Sequence, residues 1–146
     1  MIVKVKKLDD RAILPTYGSA YAAGADLYAL IEGESLMVGA GETVLVRTGL
    51  SVEIPEGYVG LIYARSGLAT KKGLAPANKV GVIDSDYRGE VKVALFNQSG
   101  EDQIVLAGER VAQLVIAPYL AVEYEEAEEL SSTIRGEGGF GSTGSK

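Results

Sequence analysis

The stretch of this sequence best suited to chemistry is VGVIDSDYRGE, residues 80–90. An apolar run over 80–83 leads to Asp84, a polar turn follows, and an alternating strand begins at Val91. This order predicts a β-hairpin whose tip presents the Asp84 carboxylate and the Tyr87 ring. The same residue types are common in purely structural turns, so a chemical role needs support from other parts of the chain.

A calcium-binding loop is excluded by the residues around this turn. Asp84, Asp86 and Gly89 fall where such a loop places two carboxylates and its glycine. Arg88 interrupts that pattern, and Leu95 stands where a bidentate Glu belongs.

The absent residue types restrict the chemistry further. The chain has no His and no Cys, which excludes an imidazole base, thiol catalysis, disulfides and thiolate metal sites. Acid or base catalysis must therefore come from Asp, Glu, Tyr or Lys.

Charge and hydropathy indicate which partners the protein binds and in which compartment it is located. A formal net charge of -6 argues against binding to nucleic acids or membranes, which requires a basic face. The first residues, MIVKVKKL, lack the apolar core of a signal peptide, and no stretch approaches the ~20 apolar residues of a membrane span. We therefore expect a cytoplasmic protein.

The composition favours an all-β fold in one domain. The 146 residues are 47% hydrophobic, with 19 Gly and 4 Pro, and they show no sustained helical period. The segments 50–54 and 58–64 predict a second hairpin around the turn at 55–57. Other strands are predicted at 2–5, 36–38, 43–47, 104–106, from 110 onward, and at 122–124.

Three more segments contain polar residues or free main-chain amides. Asp26 lies among small and apolar residues, where it either caps local amides or, if buried, needs donors or a cation. Ser66 and Gly67 open a short helix-compatible segment whose first amides either hold phosphate oxygens or form an ordinary turn. Arg110 and Gln113 stand near the start of the last long strand.

The tail, residues 131–146, has the Gly- and Ser-rich composition of a flexible segment. It is not a phosphate-binding P-loop, because Ser145 separates its glycines from Lys146 and no helix follows. Arg135 and Phe140 are unusual in a linker, since one offers a bidentate phosphate contact and the other a stacking face.

Five segments, taken in order, resemble the motifs of the homotrimeric dUTPase family. They are AGADLYA (23–29), PEGYVGLIYARSGLA (55–69), NKVGVIDSDYRGE (78–90), GERVAQLV (108–115) and RGEGGFGSTG (135–144). The resemblance implies a jelly-roll or distorted β-barrel domain over 1–130, with one short helix, and a flexible arm over 131–146 that closes over the active site. It also implies a homotrimer with shared active sites. The implied reaction is Mg²⁺-dependent hydrolysis of dUTP to dUMP and pyrophosphate, which supplies dUMP for thymidylate synthesis and keeps uracil out of DNA.

The resemblance assigns roles around the predicted hairpin. Asp84 is expected to activate the water that attacks the α-phosphorus, and Tyr87 to pack under the deoxyribose and exclude a 2'-hydroxyl. Asn78 and the main chain of Gly81, Val82 and Ile83 are expected to pair with the uracil edge. Lys92 follows the turn and either reaches the substrate or faces solvent.

The resemblance assigns the phosphates to other segments. Ser66 and Gly67 are expected to hold phosphate oxygens, with Arg65 braced by a carboxylate and Gln113 meeting the triphosphate. In the arm, the expected substrate contacts are those of Arg135, Phe140, Gly141, Ser142 and Thr143. No direct protein ligand is expected for Mg²⁺, and Asp26 is at most a partner through water.

Three alternatives remain open at this point. The related dCTP deaminases place a Glu in the strand after the turn, where this chain has Ala94. A trimeric module that binds a nucleotide without turnover could dispense with Asp84 or the tail, and both are present. A purely structural barrel leaves Arg135 and Phe140 without a function.

Overall fold

The computed structural model describes residues 1–144; the last two residues of the predicted arm, Ser145 and Lys146, lie outside the described residues. Residues 1–144 form twelve strands and one helix. The strands are β1 (Lys4–Lys7), β2 (Thr16–Tyr17), β3 (Ala25–Tyr28), β4 (Ser35–Val38), β5 (Thr43–Arg47), β6 (Leu50–Glu53), β7 (Tyr58–Tyr63), β8 (Leu74–Pro76), β9 (Gly81–Ile83), β10 (Lys92–Asn97), β11 (Gln103–Leu106) and β12 (Arg110–Pro118), and the helix is α1 (Ser66–Lys72).

The strands pair antiparallel in four sheets. The largest has the order β2-β3-β12-β7-β9, the next has the order β5-β10-β8, and β1-β6 and β11-β4 form two-stranded ribbons. Within the described residues these sheets do not join into one closed barrel. The predicted all-β, jelly-roll-like fold with one short helix is confirmed.

One hydrophobic core connects the four sheets. Each sheet contributes buried side chains to it, as shown by Leu27, Val52, Leu95 and Val105. From Lys92 to Asn97, every second residue of β10 is buried and the residues between are exposed or half-buried, because successive side chains of a strand point to opposite faces. Burial of each such Leu or Val contributes about 1.5–3 kcal/mol to the free energy of unfolding. This packing holds in place the strands that carry the polar residues described below.

Both predicted hairpins are wrong in their pairing. Strand β9 pairs with β7, whereas β10 pairs with β5 and β8, so the turn after Asp84 connects two different sheets. Likewise β6 pairs with β1, and β7 pairs with β12 and β9. The sequence pattern identifies strands and turns, but the pairing partner depends on which apolar faces meet in the core.

The strand predicted at 122–124 is also wrong. Within the described residues, no strand or helix follows β12, and the acidic run 123–129 is exposed. A strand needs a neighbour to pair its main chain, and this segment runs beyond the sheets of its own chain.

Helix α1 starts without a side-chain cap. Arg65 is the N-cap residue, its backbone is extended, and its side chain makes no capping hydrogen bond. The helix ends at Lys72, and Gly73 caps it with a φ of 67° that allows its amide to bond to Ala69 O and Leu68 O. No helix within residues 1–144 is long and apolar enough to cross a membrane.

Candidate active site

The predicted residues around Asp84 line one cavity of about 290 Å³. It lies where β9 leaves the five-stranded sheet and β10 enters the three-stranded sheet. The structure thus brings together seven of the predicted site residues: Asn78, Gly81, Val82, Ile83, Asp84, Tyr87 and Lys92.

The Asp84 carboxylate is exposed at this cavity. Within residues 1–144 it accepts no hydrogen bond and forms no ion pair; only its main-chain oxygen is bonded, to the Tyr87 amide at 3.1 Å. An unpaired carboxylate is available to accept a proton from a bound water. The geometry therefore suits Asp84 to act as a general base.

The Tyr87 side chain folds back over its own turn. Its hydroxyl donates to the main-chain oxygen of Glu90 at 3.0 Å, and its ring lies against Gly89. The side chain remains 45% exposed, so the ring can pack against a ligand in the cavity.

The turn that carries Tyr87 is fixed to the start of β6. The Glu90 carboxylate accepts hydrogen bonds from Arg47 Nε at 3.0 Å and from the Gly49 amide at 2.9 Å. The buried Thr48 hydroxyl donates to Val91 O at 2.6 Å. The C-terminal end of the turn, at Glu90 and Val91, therefore cannot move without breaking these bonds.

Strand β9 offers main-chain groups to the cavity. It is the last strand of its sheet and pairs with β7 alone. An edge strand has unpaired N–H and C=O groups that can recognise a planar ligand. Gly81 lies close to the Asn78 amide, since a Cβ there would stand 3.3 Å from Asn78 Nδ2.

A second cleft, of about 350 Å³, contains the predicted phosphate-binding residues. Asp26, Arg65, Ser66, Gly67 and Gln113 all line it. It shares no lining residue with the Asp84 cavity. One chain therefore presents the two halves of the predicted site as separate cavities.

Asp26 is the buried centre of this cleft, with 7% of its surface exposed. One carboxylate oxygen accepts from Arg65 Nε at 2.8 Å and the other from Arg110 Nη1 at 3.2 Å. Arg65 is thus paired with a carboxylate, as expected, whereas its role in the site stays a prediction. The capping role for Asp26 is not observed, because both of its oxygens bond to guanidinium groups.

Gln113 holds the strand end that leads into α1. Its Nε2 donates to Ala64 O at 2.9 Å. Gly24 makes room for this contact, because a Cβ at that position would stand 3.0 Å from Gln113 Cδ. The uncapped amides of α1 and two arginines against one carboxylate leave the cleft positively charged, which favours an anion.

The arm lies away from both cavities. Arg135 Nε donates to Gly138 O at 2.8 Å, and the Phe140 ring is fully exposed. Neither these residues nor Gly141, Ser142 and Thr143 line the Asp84 cavity or the Asp26 cleft. The predicted arm contacts are therefore not formed within one described chain.

Three residues of these sites were not assigned a role from the sequence. Arg110 reaches Asp26 because the β3-β12 register shifts between Arg110 and Ala112, and such an irregularity has no clear signal in the sequence. Glu90 and Gly24 act through contacts with residues distant in the chain. Their chemical types alone did not distinguish them from ordinary surface and turn residues.

The family model named dUTPase matches residues 10–144 of this chain. The curated deoxyuridine 5'-triphosphate nucleotidohydrolase of Hydrogenobaculum sp. is 51% identical over 146 residues, covering 100% of both chains. The enzyme of the same name from Anaplasma marginale is 50% identical over 131 residues, covering 90% of this chain and 88% of its own.

Solved structures agree with this relationship. A mutant dUTPase of Staphylococcus bacteriophage 80alpha with dUpNHpp superposes with a TM-score of 0.88 at 30% identity, covering 98% of each chain. A mutant dUTPase of phage phi11 of S. aureus, described for the coordination of a structural Mg(II) ion, gives 0.80 at 26% identity, covering 90% of this chain and 100% of its own. The chain belongs to the dUTPase family. The prediction that it is an enzyme of this family is thereby confirmed.

Proposed function

We propose that this protein hydrolyses dUTP to dUMP and pyrophosphate by attack of water on the α-phosphorus. The observation that carries the proposal is the cavity in which the free Asp84 carboxylate, the Tyr87 ring and the open edge of β9 meet. Membership of the dUTPase family supports the choice of substrate. The proposed reaction supplies dUMP for thymidylate synthesis and keeps uracil out of DNA.

Asp84 is the proposed catalytic residue. Its carboxylate accepts a proton from the attacking water while that water forms a bond to the α-phosphorus and pyrophosphate leaves. No His or Cys exists in the chain to take this role. The absence of an internal partner for Asp84 within the described residues leaves its carboxylate free to orient the water.

The nucleoside is recognised at the same cavity. The main chain of 81–83 and the Asn78 amide pair with the uracil edge, and Tyr87 packs under the deoxyribose. A base with mismatched donors leaves buried polar groups unpaired, which is costly. Lys92 lines the cavity, which favours a contact with substrate over a purely solvent-facing role.

The triphosphate binds in the Asp26 cleft. The first amides of α1 at Ser66 and Gly67 donate to phosphate oxygens, Arg65 and Gln113 flank them, and Asp26 holds the Arg65 guanidinium in place.

The residues present fit a magnesium ion held by the substrate. Within residues 1–144 no group of three His, Cys, Asp or Glu side chains is placed to hold a metal. Both oxygens of Asp26 already face arginines, so this side chain contributes at most through a bridging water. When bound, Mg²⁺ neutralises negative charge on the phosphates.

A homotrimer with shared sites accounts for the separation of the two cavities. In one chain the base-binding cavity and the phosphate-binding cleft share no residue, and the arm reaches neither of them. We propose that neighbouring subunits bring these parts together. The arm then closes over the substrate, with Arg135 on the γ-phosphate, Phe140 over the uracil, and 141–143 over the phosphates. The cytoplasmic location stays a prediction from the sequence.

The test measures pyrophosphate release from dUTP, dTTP, dCTP and UTP in parallel, with and without Mg²⁺, while ammonia is monitored in the same reactions. Release from dUTP alone, and only with Mg²⁺, is the expected result. Ammonia from dCTP would assign the protein to the deaminase branch. Binding without turnover of any of the four would favour a nucleotide-binding module.

A further inference from the structure

The ring of Tyr87 occupies the space that a side chain at position 89 would need. A Cβ on Gly89 would stand 2.6 Å from Tyr87 Cζ and 2.9 Å from Cε2, and it would also collide with the hydroxyl oxygen. Ordinary carbon contacts require about 3.5–4.0 Å. The absence of a side chain at Gly89 is therefore a condition for the position of the ring.

The backbone at Gly89 gives no other reason for glycine. Its φ is not among the positive values found at nine other glycines of the described chain, so an L-residue fits the local conformation. The three atoms nearest to a methyl group there all belong to Tyr87. This singles out the ring as the feature that Gly89 supports.

A second contact fixes the far end of the same ring. The Tyr87 hydroxyl donates to the Glu90 main-chain oxygen, and the Glu90 carboxylate is held by Arg47 Nε and the Gly49 amide. The Glu90 side chain is 13% exposed, compared with 43% for Arg47. The acceptor of the Tyr87 hydrogen bond is thus anchored to the start of β6.

We propose that Gly89 is a specificity-determining position and Glu90 a positioning residue for the rejection of ribonucleotides. This inference rests on the proposed function, in which Tyr87 contacts the sugar. Gly89 determines how close the Tyr87 ring lies to its own turn, and Glu90 fixes the orientation of the ring. Together they leave space for a 2'-deoxyribose and none for a 2'-hydroxyl.

If a methyl group is introduced at position 89, the Tyr87 ring can move in one of two ways. The ring can rise by about 1 Å toward the sugar to restore ordinary contacts, or it can rotate into solvent. Rotation of this half-exposed side chain gives up one neutral hydrogen bond, which is a modest loss. Rotation is therefore the expected response, and it opens space beside the 2'-position.

The experiment compares kcat/KM for dUTP and for UTP in the wild-type protein and in Gly89→Ala. The ratio of the two values should fall by about tenfold or more, the scale on which a pocket rejects an added hydroxyl. Gly100→Ala is the matched control, because Gly100 also lacks a positive φ and a Cβ there meets nothing within 4 Å. It should leave both values unchanged.

Two further comparisons separate the contact from a general loss of stability. In a Tyr87→Ala background, Gly89→Ala should cause no additional change, because the ring that it displaces is gone. Glu90→Ala should lower the ratio, whereas Glu90→Gln should keep it, since the amide oxygen can still accept from Arg47 and Gly49. Partial unfolding lowers both kcat/KM values equally and leaves their ratio unaffected.

The outcomes distinguish the inference from the proposed function. If the wild-type protein does not hydrolyse dUTP, the proposed function fails. If it hydrolyses dUTP, rejects UTP, and Gly89→Ala keeps or raises the wild-type ratio, only the role of Gly89 is overturned. Equal ratios for Glu90→Ala and Glu90→Gln would overturn the role of Glu90.

Discussion

Asp84→Asn should abolish turnover while leaving the fold and nucleotide binding unchanged. The carboxylate is exposed and forms no hydrogen bond or ion pair with another side chain in residues 1–144. Asparagine has nearly the same shape and keeps one oxygen acceptor, but it cannot take a proton from water. The substitution therefore removes the base and no interaction within the chain.

The expected magnitudes follow from this geometry. A positioned general base contributes about 10²–10⁴ in rate, which corresponds to roughly 3–5 kcal/mol of transition-state stabilisation. The free energy of unfolding should stay within about 0.5 kcal/mol of the wild-type value, because no internal bond is lost. The whole effect should therefore appear in kcat.

The assay combines single-turnover hydrolysis of dUTP with calorimetric binding of a non-hydrolysable dUTP analogue. Asp86→Asn is the matched control, because Asp86 lies two residues away on the same turn, is exposed, and does not line the cavity of about 290 Å³ that Asp84 shares with Tyr87 and β9. It should retain kcat. A wild-type kcat in Asp84→Asn would refute the assignment of Asp84 as the base. Lost binding of the analogue would show that Asp84 contributes mainly to binding the substrate and not to the chemical step.

Three other predictions concern the arm, the phosphate cleft and the acid stability. A chain ending at Leu130 should keep its thermal midpoint, because residues 131–144 add no strand or helix, yet lose about 10²-fold in dUTP turnover; an unchanged rate would contradict the lid. Asp26→Asn should lower the free energy of unfolding in urea by about 2–4 kcal/mol, since two arginines lose their shared carboxylate; wild-type stability would contradict the bracing role. Hydrogen bonds from Arg11 lower the pKa of both Asp9 and Glu32, so their stabilisation is present at neutral pH and lost as the pH falls below their ordinary values of about 4. Arg11→Gln should thus lower the thermal midpoint slightly at neutral pH but not in acid. Because these groups are exposed, 1 M salt should remove the difference between the variant and the wild-type protein at neutral pH. An equal loss at both pH values would show that the two ion pairs of Arg11 do not cause it.

The local order of chemical groups was predictable from the sequence, whereas their pairing was not. The step from an apolar run to Asp84 and then to Tyr87 indicated a polar site at a strand end, and the structure places both residues at one cavity. The alternation after Val91 could not show that β10 joins β5 and β8 and not β9. Strand alternation records which face is buried and contains no information about the neighbour.

Asp26 shows the same limit at the level of one side chain. The sequence left open whether its carboxylate caps a turn or meets a cation. The answer depends on Arg65 and Arg110, which lie 39 and 84 residues away. Arg110 reaches the carboxylate through a register shift in β12, which depends on the whole sheet and not on the residues beside it.

The uncapped start of α1 marks a position where the helix and the ion pair with Asp26 make opposite demands. Asp, Ser or Asn at position 65 would cap the helix, and a cap by itself contributes about 1 kcal/mol to the stability of a fold. The same change would remove the guanidinium that bonds to Asp26 and would direct a side-chain oxygen at the amides of Ser66 and Gly67. The cap does not offset the pairing that it would break, because loss of a partner of the buried Asp26 carboxylate costs about 2–4 kcal/mol. Arg65 is therefore a residue to hold constant when this fold is engineered for heat resistance.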